Sequence, residues 1–386
     1  MIVMRAAFLV SVCTVFYIYF GYPSLLSTLA LFHRSHMKTT GRYHPTVSLI
    51  IAAYNEDAVI REKLENSLKL DYASDKLEII VFSDASGDGT DEIVKSYAGQ
   101  GVRLLRIEGR KGKTYCQNEA VIKIATGEIM VFSDANSMYE PDAIQKLVRH
   151  FADEHVGCVS GELRYRGGGE AVEGERTYWA YDKILKQLES KVSSLVGANG
   201  SIYAVRRALF KPLLPGTAED LVRPLQIVQE GRRVVYEPEA VTWENTAQDA
   251  SMEFQRRVRI VTQSVRSLLD NRTLFHLLNP LRYGIFSVQL WSHKVLRWLS
   301  GVFLLLIFAL NVPLIGRGWL YNATMSGQAA FYLLALWGGV SEKALKRQAP
   351  KLPHVAYYFC LSCYAMLKGV YHGLRGRTMI TWQPSR

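Results

Sequence analysis

Short apolar runs that alternate with helically spaced segments constrain the fold of this chain more than any other feature. Val47–Ala53, Leu77–Phe82, Val102–Ile107 and Ile129–Phe132 read as strands. Between and after them come Asp57–Leu70, with Val59, Ile60, Leu64 and Leu68 at helical spacing, then Asp91–Tyr97, Thr114–Ala125 and Pro141–Phe151, the last with proline in its first turn. Strands alternating with helices specify an α/β fold whose mostly parallel sheet is covered on both faces. Ligands of such sheets bind at the carboxyl ends of the strands. Two of these runs end in acid, in the segments SDASGDGT with Asp84 and SDAN with Asp134.

Outside this region the chain turns apolar. Ala6–Phe32 is nearly uncharged, long enough to cross a bilayer, too long for the apolar part of a signal peptide, and without a small-x-small cleavage site. Leu299–Leu314 and Leu320–Val340 are further candidate spans, while Asp249–Asp270 is amphipathic and basic and suits a membrane interface. His354–Tyr371 is apolar but contains Lys368, and reads as interfacial or re-entrant. Arg34 and Lys38 after the first span, and the basic loop Lys343–Lys351, place the bulk of the chain in the cytoplasm under the positive-inside rule.

The formal charge of +11 fits this layout, because the Lys and Arg residues flank apolar segments. They do not interleave with aromatics as in nucleic-acid binding, so no nucleic acid is expected. The five cysteines include Cys360-x-x-Cys363, but one pair without a second completes no zinc site. The expected organisation is a membrane helix and basic flank (1–38), a cytoplasmic catalytic domain (39–248), amphipathic interfacial helices (249–298), two membrane helices (299–341), and a basic loop, interfacial helix and tail (342–386).

Five motifs carry chemistry. AAYNE brings Tyr54, Asn55 and Glu56 to the end of the first strand, where they can grip a base or ribose or simply open a helix. In SDASGDGT, Gly87 and Gly89 permit a tight turn and Asp84 is an acceptor for an imide N–H or ribose hydroxyl. In GRKGKTYCQNEA, Lys113 stands at a helix N-terminus, where charge and orphan N–H groups together favour a diphosphate. Asp134 and Asn136 offer oxygen ligands to Mg2+ or Mn2+, or else form an Asx-type turn. Glu219–Asp220 supplies carboxylates for proton transfer, with Asp220 able to accept a proton from an incoming hydroxyl.

AAYNE, SDASGDGT, GRKGKTYCQNEA, SDAN, GANGSIYAVRR and AED, in this order and flanked by apolar segments, closely resemble the membrane-integrated inverting glycosyltransferases of family 2, which include cellulose, chitin, hyaluronan and bacterial exopolysaccharide synthases. The resemblance covers roughly Val47–Arg259. It implies a GT-A fold, a UDP-sugar donor, a polysaccharide or lipid-linked acceptor, and a multi-pass protein of the inner (plasma) membrane with its catalytic domain in the cytoplasm, working with export or assembly subunits. It places Tyr54, Glu56 and Asp84, with Asn55 between them, on uridine and Lys113 on the diphosphate. Asp134 and Asn136 fall on the metal and Asp220, beside Glu219, on the base. Asn199, Gly200, Ser201 and Arg207 come near the sugars.

Two departures stand out. Asn136 replaces a second acid, so one charge is lost. The processive members' Gln-x-x-Arg-Trp corresponds to Gln255–Arg259, where Gln255 and Arg256 remain on the acceptor side but Val258 and Arg259 replace Arg and Trp. Trp382 and Trp243 are the candidates to supply the missing aromatic. The expected activity is transfer of a hexose or N-acetylhexosamine, with inversion, to a growing polysaccharide. Single addition to a polyprenyl or glycolipid acceptor is the rival, and a non-catalytic sugar-nucleotide-binding module is the alternative of another class.

Overall fold

The computed structural model describes residues 1–33, 43–166, 172–245, 250–345, 349–377 and 380–382. The basic flank with Arg34 and Lys38, the glycine run Gly167–Gly169, residues 346–348 of the basic loop and the tail residue Arg386 lie outside the described residues. The strands are β1 (Val47–Ala53), β2 (Leu77–Asp84), β3 (Val102–Ile107), β4 (Ile129–Asp134), β5 (Met138–Tyr139), β6 (Val156–Arg166), β7 (Ile202–Arg206) and β8 (Arg233–Asn245). They form one 8-stranded sheet in the order β3-β2-β1-β4-β7-β6-β8-β5.

The α/β architecture agrees with the sequence, but the sheet is mixed rather than mostly parallel. β3, β2, β1 and β4 run parallel. Beyond β4 the direction changes, since β7 is antiparallel to β4 and to β6, and β5 is antiparallel to β8. β1 pairs with β2 on one side and with β4 on the other, so the order reverses between β1 and β4. The carboxyl ends on either side of such a reversal leave a crevice for ligand.

Every residue of β1 is buried. Ile50 and Ala52 face a core shared with Ile80, Phe82, Met130, Phe132 and the helices Lys113–Lys123 and Glu219–Gln229. Leu49 and Ile51 face the opposite core, shared with Val81, Val131 and the helices Ile60–Leu68 and Ala143–Val148. Alternate side chains of a strand point to opposite faces. A run of apolar residues without alternation is therefore what a sheet covered on both sides demands.

The apolar segments fold as helices against this domain. Ile2–Phe32 is the one helix among the described residues long and apolar enough to cross a membrane. Ile285–Leu296 and Ser300–Leu314, bent by 64° at their junction, make a second only if they count as a single span. Leu320–Val340 lies in the helix Trp319–Lys343, which does not meet the same measure of length and apolarity. The amphipathic stretch is the helix Ala250–Asp270, packed along Lys351–Leu374 with Gly369 against Val261 and Gly373 against Val265.

Candidate active site

The crevice at the β1/β4 reversal gathers most of the polar motifs. Ala52 of β1 is level with Asp134 at the end of β4. Lys113, first residue of its helix, places Nζ 2.7 Å from Asp134 Oδ1 and 3.0 Å from Glu219 Oε1. Burial alone would lower the Lys113 ammonium, but these two carboxylates hold it well above its ordinary value. Burial would likewise raise Glu219, and Lys113 holds it down.

Asp220 behaves in the opposite way. Burial first, and then the adjacent Glu219, push its carboxyl up to about 6, against the downward pull of Lys294 and Lys113. Its backbone carbonyl accepts from Ala198 N at 2.7 Å, which ties it to the Asn199–Ser201 turn. A Cβ on Gly200 would lie 3.8 Å from Asp220 Oδ2 and 3.9 Å from Lys113 Nζ, so glycine leaves the cleft open between Asp220 and Lys113. Asn199 N donates to Ser160 Oγ at 2.9 Å, and Ser201 Oγ donates to Glu244 Oε1 at 2.5 Å.

The β2 end of the cluster is built around Asp84, which is fully buried and accepts from the backbone N–H of Lys111 at 2.7 Å and of Gly112 at 3.0 Å. Its carboxylate thus positions the loop that delivers Lys113. Each oxygen takes one backbone donor, and a carboxylate oxygen has a second lone pair beyond it. Gly112 has φ +90°, a left-handed conformation that favours glycine, and a Cβ there would meet the Ile380 carbonyl. Asn55, also at positive φ, accepts from Gly87 N at 2.8 Å, and Glu56 N donates to Thr90 Oγ1 at 2.8 Å. AAYNE and SDASGDGT therefore brace one another at the ends of the paired strands β1 and β2, beside the crevice. Tyr54 offers its ring to the Arg110 guanidinium, whose Cζ is 3.1 Å from the ring centroid.

Other expectations are displaced. Arg207 lies at the far end of the sheet. β7 runs antiparallel to β4, pairing Arg206 with Ile129, so the chain has travelled away from Asp134 by the time it reaches Arg207. There Arg207 Nη1 donates to Thr126 O at 3.1 Å, beside a surface hollow also lined by Thr46 and Glu128. Gln255 is exposed, whereas Arg256 turns inward, donating to Tyr165 OH at 3.1 Å and pairing with Glu253 at 3.3 Å. Trp382 stands on the nucleotide side, 6.0 Å from the Tyr54 ring. Trp243 donates to Glu140 at 2.5 Å.

Sequence reasoning missed Glu244 and Lys63. Burial and then Asp134 raise the Glu244 carboxyl, while the hydroxyls of Ser137 and Ser201 oppose the shift. Lys63 is fully buried beneath the SDAN turn, donates to the Ser137 carbonyl and stands 4.1 Å from the Tyr139 ring centroid. Burial lowers its ammonium to about 7 despite the nearby Asp134 and Glu244. Its signal was its place among Ile60, Leu64 and Ser67 on the buried face of an otherwise charged helix.

Among the described residues no group of three or more His, Cys, Asp or Glu side chains is placed to hold a metal. Asp134, with its side chain one-third exposed, and the partly exposed Asn136 offer one carboxylate and one amide oxygen. That sparse set fits Mg2+ or Mn2+ drawing its other ligands from water and substrate phosphates, the usual condition of Mg2+ at nucleotide sites.

Residues 48–214 match Glycosyl transferase family 2. Over 241 residues the chain is 26% identical to the probable glycosyltransferase YdaM of Bacillus subtilis, covering 56% of this chain and 54% of that protein. Over 271 residues it is 25% identical to the poly-beta-1,6-N-acetyl-D-glucosamine synthase of Staphylococcus aureus, covering 66% of this chain and 64% of the synthase. The chain thus spans between about half and two-thirds of the length of these relatives. In fold it is similar to a mannosyltransferase from Pyrobaculum calidifontis solved with GDP-Man and Mn2+, at a TM-score of 0.74 and 23% identity, over 97% of this chain and 99% of that one. The crevice motifs fall chiefly within the matched residues, and the chain carries a glycosyl transferase family 2 domain.

Proposed function

We propose that this protein is a membrane-bound inverting glycosyltransferase that moves a hexose or N-acetylhexosamine from a UDP-sugar to an acceptor hydroxyl on a growing glycan. The observation that carries the reading is the pairing of a raised carboxyl at Asp220 with the Lys113–Asp134–Glu219 cluster across the Gly200 gap. A base titrating near 6 is charged at neutral pH yet basic enough to accept a hydroxyl proton. Lys113 at its helix N-terminus is the group to receive the donor diphosphate.

In the reaction the acceptor oxygen attacks the anomeric carbon while the bond from that carbon to the donor phosphate breaks. The nucleoside diphosphate leaves with the electron pair, and the proton passes to Asp220 Oδ. Attack opposite the leaving group inverts the anomeric configuration. Glu219 keeps Lys113 oriented and charged. Asp134 and Asn136 would hold Mg2+ or Mn2+, which neutralises phosphate charge when bound.

Membrane residence is supported by the large apolar side chains exposed on Ile2–Phe32, Ser300–Leu314 and Trp319–Lys343, among them Phe16, Phe20, Leu305, Phe308, Leu333 and Trp337. A glycan acceptor is supported by the stacked Tyr165–Trp179 pair, centroids 4.1 Å apart, beside Arg256. The likeness to a polysaccharide synthase favours a role in exopolysaccharide biosynthesis. Membranes containing the protein, supplied with radiolabelled UDP-sugars, should release or transfer label. Asp220→Asn should reduce this roughly 10²–10⁴-fold, and unchanged turnover in that variant would overturn the assignment.

A further inference from the structure

Two turns from distant parts of the chain frame the crevice. Asp134–Ser137 carries the candidate cation ligands and closes with Ser137 N donating to the Asp134 carbonyl at 3.3 Å. Asn199–Ile202 closes with Ile202 N on the Asn199 carbonyl at 3.0 Å, and the preceding Ala198 ties it to the Asp220 carbonyl. The turns meet at a single carboxylate oxygen. Glu244 Oε1 accepts from Ser137 Oγ at 2.6 Å and from Ser201 Oγ at 2.5 Å. Tyr139 adds a second link, its hydroxyl donating to the Phe132 carbonyl at 3.0 Å and to the Ser201 carbonyl at 3.1 Å.

The first turn is also held from below. On the helix Ile60–Leu68, Lys63 is fully buried and donates to the Ser137 carbonyl. Asn66, one turn further on, gives Nδ2 to the Tyr139 carbonyl and takes the Tyr139 N–H on Oδ1, both at 2.8 Å. Residues three apart share a helix face, so one face of this helix grips both ends of Ser137–Tyr139. Directional bonds among buried polar groups admit one arrangement, whereas apolar contacts can slide.

We propose that Glu244 is a positioning residue that clasps the cation-bearing turn to the turn beside Asp220, with Lys63 as its anchor, so that filling the donor side sets the geometry around the base. The proposal rests on the glycosyltransferase reading and adds to it the coupling of the two halves of that site. Neither Glu244 nor Lys63 touches the reacting atoms. Because one oxygen receives both hydroxyls, Ser137 cannot move without either carrying Ser201 along or releasing it. Next to Ser201, a Cβ on Gly200 would lie 3.8 Å from Asp220 Oδ2, so a shift of this turn changes the room above the base.

The test uses the full-length protein and three readouts: Mn2+ binding in the presence of UDP, followed by the resonance of free Mn2+; hydrogen exchange; and turnover. Ser201→Ala deletes one hydroxyl that bonds Glu244 and lies on the turn without the cation ligands. It should nonetheless weaken Mn2+ binding about five- to tenfold, just below what groups touching a metal ligand contribute. It should also speed exchange of the 137–139 amides. Ser137→Ala should lower kcat by a similar factor and speed exchange across 199–202. The double variant should be no worse than the poorer single by more than about twofold, since both hydroxyls act through one oxygen. Glu244→Ala should match the double variant, while Glu244→Gln, which keeps an acceptor oxygen, should recover most of the loss. Lys63→Met should reproduce the loss of Mn2+ binding.

Mn2+ binding by Ser201→Ala within about twofold of the wild type would overturn the clasp. Losses that multiply in the double variant would do the same, and so would a Glu244→Ala protein that melts earlier but binds and turns over normally. Each of these would reduce the contacts to core packing and leave the glycosyltransferase reading standing. A wild type that binds Mn2+ with UDP yet transfers no sugar from any donor would sink that reading, while binding and exchange would still decide the clasp. A wild type that binds neither would overturn both.

Discussion

At Asp220 and Lys113 two acids and a base share one small volume, and the charges settle in unequal ways. Glu219 gains Lys113 and stays ionised, while Asp220 bears both its own burial and the repulsion of Glu219. Since the deprotonated form is the base, the rate should rise with pH through a limb near 6 and level off above it. The same shift carries a sign for stability. A carboxyl raised above its unfolded value near 3.9 favours the protonated native state, so the protein loses stability as pH rises from about 4 to 6. Asp220→Asn should therefore be more stable than the wild type at neutral pH, on the order of 1–3 kcal/mol, while inactive. Thermal unfolding and turnover on the same preparation check both halves. Lys113→Met removes the cation that pulls Asp220 down and pairs Asp134 and Glu219. Its residual activity should fall about tenfold or more and its rising limb should move to higher pH. A limb that stays near 6 in that variant would show that Lys113 does not act on the base.

At the scale of elements, what was legible depended on whether the signal is local. β1 and β3 both coincide with their apolar runs, β1 as a strand buried on both faces and β3 as an edge strand with Arg103 and Arg106 exposed. β7 and β8 take their direction from distant partners, and no local pattern in Ile202–Arg206 says that it runs against β4. That is why Asn199, Gly200 and Ser201 lie before β7 beside Asp220, while Arg207 lies past its other end. The backbone donors that Asp84 accepts come from a separate loop, and no local pattern around Asp84 announces them. Lys63 was hidden by its residue type, for a lysine among apolar neighbours usually snorkels to water. The helix Ala250–Asp270 was legible from its basic, amphipathic pattern, and its docking depends on two glycines that the pattern did not flag. A Cβ on Gly369 would fall 2.6 Å from Val261 Cβ, and one on Gly373 would fall 2.8 Å from Val265 Cβ. Such contacts are backbone-close on both sides, and neither valine can swing away. Gly373→Leu should cost about 1–3 kcal/mol through overpacking. It should also weaken activity by displacing the helix that carries Arg256 and Arg259. A melt and a kinetic assay that both remain at wild-type values would show that this seam does not position the site.

Across the whole molecule, the first helix and the catalytic domain are joined by a buried polar knot. Glu189, on the helix Val172–Val192, is fully buried, accepting from Tyr22 OH at 2.5 Å and meeting His293 Nδ1 at 2.8 Å. Asp182, two turns earlier, meets Lys186 at 3.0 Å, with His293 and Arg297 on its other side. Burial would raise the Asp182 carboxyl, but Lys186, His293 and Arg297 hold it well below its ordinary range. One helix of the catalytic domain thus grips the first apolar helix through Tyr22 and the stretch bearing Lys294 through His293. Around the knot, Tyr22, Leu26 and Ala30 pack on Leu185 and Val192, so apolar burial and the polar contacts act together. Removing one member of such a knot leaves the others buried without partners, which costs more than the lost contacts are worth. Glu189→Leu should destabilise the protein by about 3–5 kcal/mol, whereas Tyr22→Phe, which removes a donor but leaves His293 on Glu189, should cost closer to 1–2 kcal/mol. Thermal unfolding in detergent orders the two variants, and hydrogen exchange across Ile2–Phe32 reports whether the first helix loosens with the knot. Equal melting of both variants and the wild type would mean that apolar packing alone holds the helix in place.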